Sequence, residues 1–167
     1  VAILDIPAEN LSAAEAARRI DEDYDPTLVA IIVYGLQPSA STQNMTAAGA
    51  ICTAIKRSAP EQPVLLVGGH VAALPERTLR EEAADFVAGG EGPITLAELV
   101  EALKTTRPDL SKVRGLWYRD DGSLCATAPA PLVKDLDREM PELAWDLLPM
   151  EKYRAHNWHA LDGLQRR

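Results

Sequence analysis

The sequence predicts an α/β fold: a Rossmann-like parallel sheet in flavodoxin-like order, with helices on both faces. Three observations predict it. Runs of aliphatic and β-branched residues at 1–6, 28–34, 64–68 and 85–88 lack strict alternation, as strands do when both faces are covered. Helical patterns lie between them, and strand alternating with helix reads as parallel strands joined by right-handed crossovers. Glycine, proline or polar residues bound each run.

The chain has 167 residues, enough for one domain or a domain with a small appendage. Ser12 and Glu15 have capping-box spacing, and the alanine-rich stretch 13–20 suits a closely packed helix. Asp25-Pro26 closes that connection. The next helix is expected to start near Ser41 or Thr42, with Met45, Ala48, Cys52 and Ile55 as its apolar stripe. Pro75 opens a short helix with Leu79 and Ala83 on one side. Pro93 opens the clearest helix, where Leu96, Leu99, Val100 and Leu103 recur at helical spacing, and Pro108 lies beyond its end. After residue 108 the rhythm changes. Residues 113–119 and 123–127 flank Asp121-Gly122, a hairpin signal because Gly supplies the positive φ such turns need. The Pro-rich stretch 129–149 carries Leu136, Leu143, Trp145, Leu147 and Leu148, and reads as an irregular linker over a partner surface. The expected division is a domain over 1–108 and a hairpin with linker over 109–167.

Composition narrows the function. The 17 Lys and Arg against 25 Asp and Glu leave a net charge of −8, which argues against a nucleic-acid binder. No apolar run approaches the ~20 residues of a membrane span. Two cysteines, Cys52 and Cys125, exclude a disulfide scaffold or a multi-cysteine metal site within the chain, and fit a cytoplasmic setting. No signal-peptide pattern precedes the first run. The chain opens in mid-pattern at Val1 and stops at Arg167 without a terminal signal, and it reads as a piece of something longer. The acidic clusters Asp21-Glu22-Asp23 and Glu81-Glu82 read as solvated faces.

Ligands of open α/β sheets bind outside the carboxyl ends of the strands. The second run ends Tyr34-Gly35-Leu36-Gln37-Pro38-Ser39-Ala40-Ser41-Thr42, with three hydroxyls ahead of a helix. They can cap that helix or bond a polar ligand. The third run ends Gly68-Gly69-His70, where adjacent glycines admit a ligand or a tight turn. The fourth ends Gly89-Gly90-Glu91-Gly92-Pro93, exposing backbone N–H groups at a positive helix end. Glu91 can accept from ligand donors or cap the helix. In a parallel sheet these three ends share one crevice, lined by small residues and suited to a large flat or extended ligand. A Gly-x-Gly-x-x-Gly fingerprint and a phosphate-loop lysine motif are both absent.

Val64-Leu65-Leu66-Val67-Gly68-Gly69-His70, Pro75-Glu76-Arg77-Thr78-Leu79, Asp85-Phe86-Val87-Ala88-Gly89-Gly90-Glu91-Gly92 and Gly115-Leu116-Trp117-Tyr118-Arg119-Asp120-Asp121-Gly122 come in an order that resembles the cobalamin-binding domain of cobalamin-dependent radical SAM enzymes. Pro38-Ser39-Ala40-Ser41-Thr42 is similar to a loop some members carry. Asp135-Leu136-Asp137, Met140-Pro141 and Ala144-Trp145-Asp146-Leu147-Leu148-Pro149 resemble that family's linker into its radical SAM barrel. The resemblance implies cobalamin held between this domain and the barrel, its nucleotide tail running into the carboxyl edge of the sheet. It implies that Ser39, Ser41 and Thr42 line the tail channel. Gly68, Gly69 and His70 would meet the tail or corrin edge, and Gly89, Gly90, Glu91 and Gly92 would border the base and ribose. Tyr34 and Gly35 join these as candidate cofactor-binding residues.

Two departures shape the expectation. No Asp-x-His-x-x-Gly occurs, so base-off cobalamin without a protein histidine ligand is expected. The strand–helix unit that family members carry ahead of the opening strand is missing. An exposed sheet edge is therefore expected, which could pair copies of the chain as a homo-oligomer. Cys52 and Cys125 cannot supply the Cys-x-x-x-Cys-x-x-Cys of a radical cluster. The iron–sulfur cluster, S-adenosylmethionine and methyltransferase chemistry would thus belong to the barrel of the parent protein, and no catalytic or metal-ligating residue is assigned here. Two other readings stay open at this level: a non-catalytic flavodoxin-like sensor or interaction domain, and a small-molecule enzyme binding a phosphorylated ligand. His156 and His159 form an i, i+3 pair without an evident third metal ligand.

Overall fold

The computed structural model describes residues 1–35 and 38–153. Strands β1 (Val29–Val33), β2 (Val64–Gly68), β3 (Phe86–Ala88), β4 (Leu116–Asp120) and β5 (Ser123–Ala126) form one sheet in that order. β1, β2 and β3 run parallel, whereas β4 and β5 add antiparallel. The helices are α1 (Ala13–Arg19), α2 (Pro38–Ser58), α3 (Gly69–Ala73), α4 (Pro75–Glu81), α5 (Pro93–Leu103) and the short α6 (Leu136–Glu139).

Two apolar layers sandwich the sheet. Val64 and Leu66 of β2 and Val87 of β3 pack with Met45, Ala48, Cys52 and Ile55 of α2 and with Val71 and Leu79. Leu65, Val67, Phe86 and Ala88 face the other way, onto Leu99 of α5, Val113 and Leu116. Successive side chains of β2 thus enter opposite layers, and both are buried, which is why that run shows no alternation. The Rossmann-like reading holds, as do the capping box at Ser12 and Glu15 and the prolines at the starts of α4 and α5.

Residues 1–6 form no strand. Among the described residues β1 pairs only with β2, so this segment leaves the other edge of β1 unpaired. Asp5 supplies a local alternative: its Oδ1 accepts from the Ala8 N–H at 3.0 Å and its carbonyl from the Glu9 N–H at 2.9 Å. The result is a turn with Asn10 at φ 51°. The Ile6 side chain still reaches the α2 layer. The far end of the described chain clamps this turn. Tyr153 Oη donates to Asp5 Oδ2 at 2.6 Å, and Glu9 takes both Arg19 and Lys152, at 2.7 and 3.1 Å. Hydrogen bonds from Arg19 and then Lys152 hold the Glu9 carboxyl below its usual range.

Three further boundaries differ from expectation. α1 runs on into a wider π turn over Ile20–Tyr24, which Asp25 ends in the left-handed region. α2 starts at Pro38, ahead of Ser41, because proline is favoured at a first helical position. The hairpin does not stand apart from the sheet: β4 pairs with β3 directly, and Asp121 and Gly122 both take positive φ, as a type I′ turn requires.

The two thiols are sharply unlike. Cys52 is fully buried, and desolvation, reinforced by Glu82, pushes its thiol up to about 12, whereas Cys125 is half-buried on β5. Iodoacetamide at neutral pH is therefore expected to alkylate Cys125 in the native chain and Cys52 only in denaturant, because the thiolate is the nucleophile. Peptide mass spectrometry reads this, and equal native rates at the two sites would contradict the packing of α2.

Candidate functional site

At the end of β2 the chain turns at once into α3, so Gly69 and His70 lie in a helical first turn rather than in an open loop. The hydroxyls of α2 hold this corner. Ser41, buried, accepts from the His70 N–H at 3.0 Å, and Thr42 Oγ1 lies 2.9 Å from His70 Nδ1. Their observed role is a cross-link between two strand ends. Ser39 and Thr42 are exposed, and so is Tyr34. The Tyr34 carbonyl accepts from Asn44 Nδ2 at 2.6 Å, a tie that sequence reading missed and that only an amide early in a helix could have hinted at.

The glycines of the three ends divide into two kinds. A Cβ on Gly35 would strike the backbone of Ala40 and Ser41, and one on Gly68 would strike the Val33 carbonyl. One on Gly89 would lie 2.9 Å from Trp117 Nε1, and one on Gly92 only 2.6 Å from Val67 Cγ1. Gly92 also holds φ at +102°, which L side chains rarely adopt. Packing of the chain alone explains these four. Gly69 and Gly90 are different. A Cβ on Gly69 would first meet Ser41 Oγ at 3.4 Å, an ordinary contact, and one on Gly90 would meet nothing within 4 Å. Gly90 presents bare backbone to open space, and Gly69, which is exposed, presents it with only Ser41 alongside.

The Gly92 contact folds the loop after β3 back onto Val67, so the ends of β2 and β3 share one rim. Glu91 is exposed and does not cap α5, whose N-cap residue, Gly92, makes no side-chain cap bond. Instead its Oε2 accepts from the Val133 N–H at 3.0 Å and straps residues 130–133 across the loop. A shallow pocket lies between them, with Gly90, Gly92 and Ile94 on one wall and Ala130 and Leu132 on the other.

Two neighbours of this rim escaped sequence reading. Glu82 is half-buried rather than solvated, its carboxylate lying over Gly49 of α2. Burial, and then the Glu81 charge, raise its carboxyl, while His70 tempers the effect. Trp117, placed by sequence only within a hairpin, lies against Gly89. Cross-strand neighbours carry no local sequence signal. His156 and His159 lie outside the described residues. Among the described residues no group of three or more His, Cys, Asp or Glu is placed to hold a metal ion, and no helix is long and apolar enough to cross a membrane.

Comparison with known proteins fits this architecture. An uncharacterized methyltransferase from Pyrococcus horikoshii is 36% identical over 156 residues, 93% of this chain and 32% of that protein. An anaerobic magnesium-protoporphyrin IX monomethyl ester cyclase from Synechocystis is 39% identical over 74 residues, 44% of this chain and 14% of that protein. The chain thus spans about a third or less of the length of these curated relatives. Among solved structures, the radical S-adenosylmethionine methyltransferase TsrM from Kitasatospora setae, with cobalamin and a 4Fe–4S cluster bound, shares the fold at a TM-score of 0.64. It has 20% identity and covers 84% of this chain and 25% of that one. The same enzyme with tryptophan and a SAM analogue bound gives 0.65. Residues 1–100 match the B12 binding domain family, which bears out the resemblance carried by the glycine ends of β2 and β3: the chain belongs to that family.

Proposed function

We propose that this chain is the cobalamin-holding module of a radical SAM methyltransferase. One observation carries the reading. Of the six glycines at the three strand ends, the two that chain packing leaves unexplained, Gly69 and Gly90, follow the carboxyl ends of the adjacent parallel strands β2 and β3. A cradle of bare backbone suits a ligand that must approach closely, and its floor is rigid because the strands beneath are buried on both faces. When bound, the corrinoid supplies a cobalt centre able to carry a methyl group. The chain's own residues bind and orient. Gly69 and Gly90 admit the ligand. Ser41 and Thr42 fix His70 at the corner, and Glu91 keeps residues 130–133 alongside the loop. The missing Asp-x-His-x-x-Gly, together with the Thr42 partner at His70 Nδ1, favours a base-off corrinoid without a histidine ligand from this chain. The radical cluster and S-adenosylmethionine belong, in this reading, to a barrel reached through the segment after β5. The length of the relatives supports that assignment.

The test is direct. Mixed with hydroxocobalamin and desalted, the chain is expected to retain the chromophore near one equivalent with a base-off spectrum. Chromophore that elutes wholly free overturns the proposal.

A further inference from the structure

After β5 the chain returns across the loop that follows β3. Its root is firm: the Gly115 N–H donates to the Ala128 carbonyl at 2.7 Å, and a side chain on Gly115 would strike Ala130. Pro129 and Pro131 then carry no N–H and cannot extend the sheet. Among the described residues a single hydrogen bond joins 129–133 to the loop, from the Val133 N–H to Glu91 Oε2 at 3.0 Å. Glu91 is exposed, so water competes for that bond. Leu132 is 67% exposed, so its side chain packs little against the loop. Farther on the chain satisfies itself, with the Lys134 and Asp135 N–H groups donating to Glu139 at 3.2 and 3.0 Å. Beneath this strap Gly90 is half-buried, and the pocket between them holds about 270 Å³. Small-molecule sites run from about 300 to 1,000 Å³, and a corrinoid is a large ligand on that scale.

We propose that residues 129–133 are a strap that bars the crevice in the free chain, and that Glu91 is its latch. The proposal rests on the cofactor reading above. With the strap down, the space before Gly90 is too small for a corrinoid. Entry requires the Val133–Glu91 bond to break and the strap to swing from its root at Ala128. The free chain then divides between latched and open forms, and only the open form binds, so apparent affinity falls with the open fraction. Glu91 therefore opposes binding, the reverse of what a carboxylate in contact with the ligand would do. The opening is local, because β4 and β5 keep their pairing when the latch is released.

The experiment compares wild type with Glu91→Ala, which removes the acceptor, and Glu91→Gln, which keeps one. Amide hydrogen exchange followed by NMR reads the latch without any ligand. Exchange at Val133 should rise about fivefold in Glu91→Ala, the effect of one hydrogen bond, and stay near wild type in Glu91→Gln. The Gly115 amide should stay protected in all three. Stopped-flow absorbance with hydroxocobalamin reads entry: Glu91→Ala should associate about fivefold faster and bind correspondingly tighter, with dissociation unchanged. Slower or weaker binding by Glu91→Ala makes Glu91 a ligand contact and overturns the latch. Unchanged association despite a freed Val133 amide overturns the strap as a gate. Both outcomes leave the cofactor reading standing. Failure of wild type and Glu91→Ala alike to bind hydroxocobalamin overturns that reading, and the gate with it.

Discussion

Valine at position 90 is expected to abolish corrinoid retention while leaving thermal melting within about 2 °C of wild type. The two halves of this expectation have separate causes. A Cβ at Gly90 meets no atom within 4 Å, and its φ is not positive, so a side chain starts there without collision or backbone strain. Losing a glycine also restricts the unfolded chain, which offsets small costs in the folded one. All that the new methyls can obstruct is whatever enters the crevice from outside. Gly69→Val should act in the same direction but less cleanly, since Ser41 Oγ lies 3.4 Å from the new Cβ and anchors the adjoining His70 N–H. Retention after desalting and scanning calorimetry measure the two effects independently. A Gly90→Val chain that holds hydroxocobalamin as wild type does would remove the crevice from consideration. One that melts much lower would show that the loop packs against something at that position.

The sequence was most readable where burial and punctuation agree. Residues 64–68 are apolar without alternation because both apolar layers claim them, and Gly68 stops the run at the strand end. Pro93 and the Leu96–Leu99–Leu103 spacing mark α5 because a proline start and a helical stripe are local properties. What stayed hidden depends on partners far along the chain. Residues 1–6 carry strand composition, yet a strand is a property of pairs, and Asp5 closes a turn instead. Ser41 looked like a cap or a ligand contact, and nothing local announced that it also accepts from a backbone N–H 29 positions away. The glycines looked alike until their surroundings were known. Gly89 answers to a tryptophan on a neighbouring strand, Gly92 to a valine on another, and Gly90 to nothing in the chain.

Alanine at Gly92 should have the opposite signature: a loss of about 3 kcal/mol in stability, read as a fall in Tm of about 8 °C. Two costs add there. The backbone sits at φ +102°, which a Cβ disfavours, and that Cβ would press into Val67 Cγ1 at 2.6 Å. Val67 cannot step aside easily, since it is buried against Phe86, Leu99 and Leu116 in the α5 layer. The two costs separate in a double-mutant cycle. Val67→Ala removes the colliding methyl, so the pair G92A/V67A should lose less than the sum of its singles. The shortfall measures the collision, and the excess that persists measures the backbone strain. Strict additivity would mean that the loop after β3 does not fold back onto β2. That outcome would reach beyond stability, because the parallel pairing of β2 and β3 puts Gly69 and Gly90 at one edge of the sheet, and the Gly92 contact with Val67 is what ties the loop carrying Gly90 to β2.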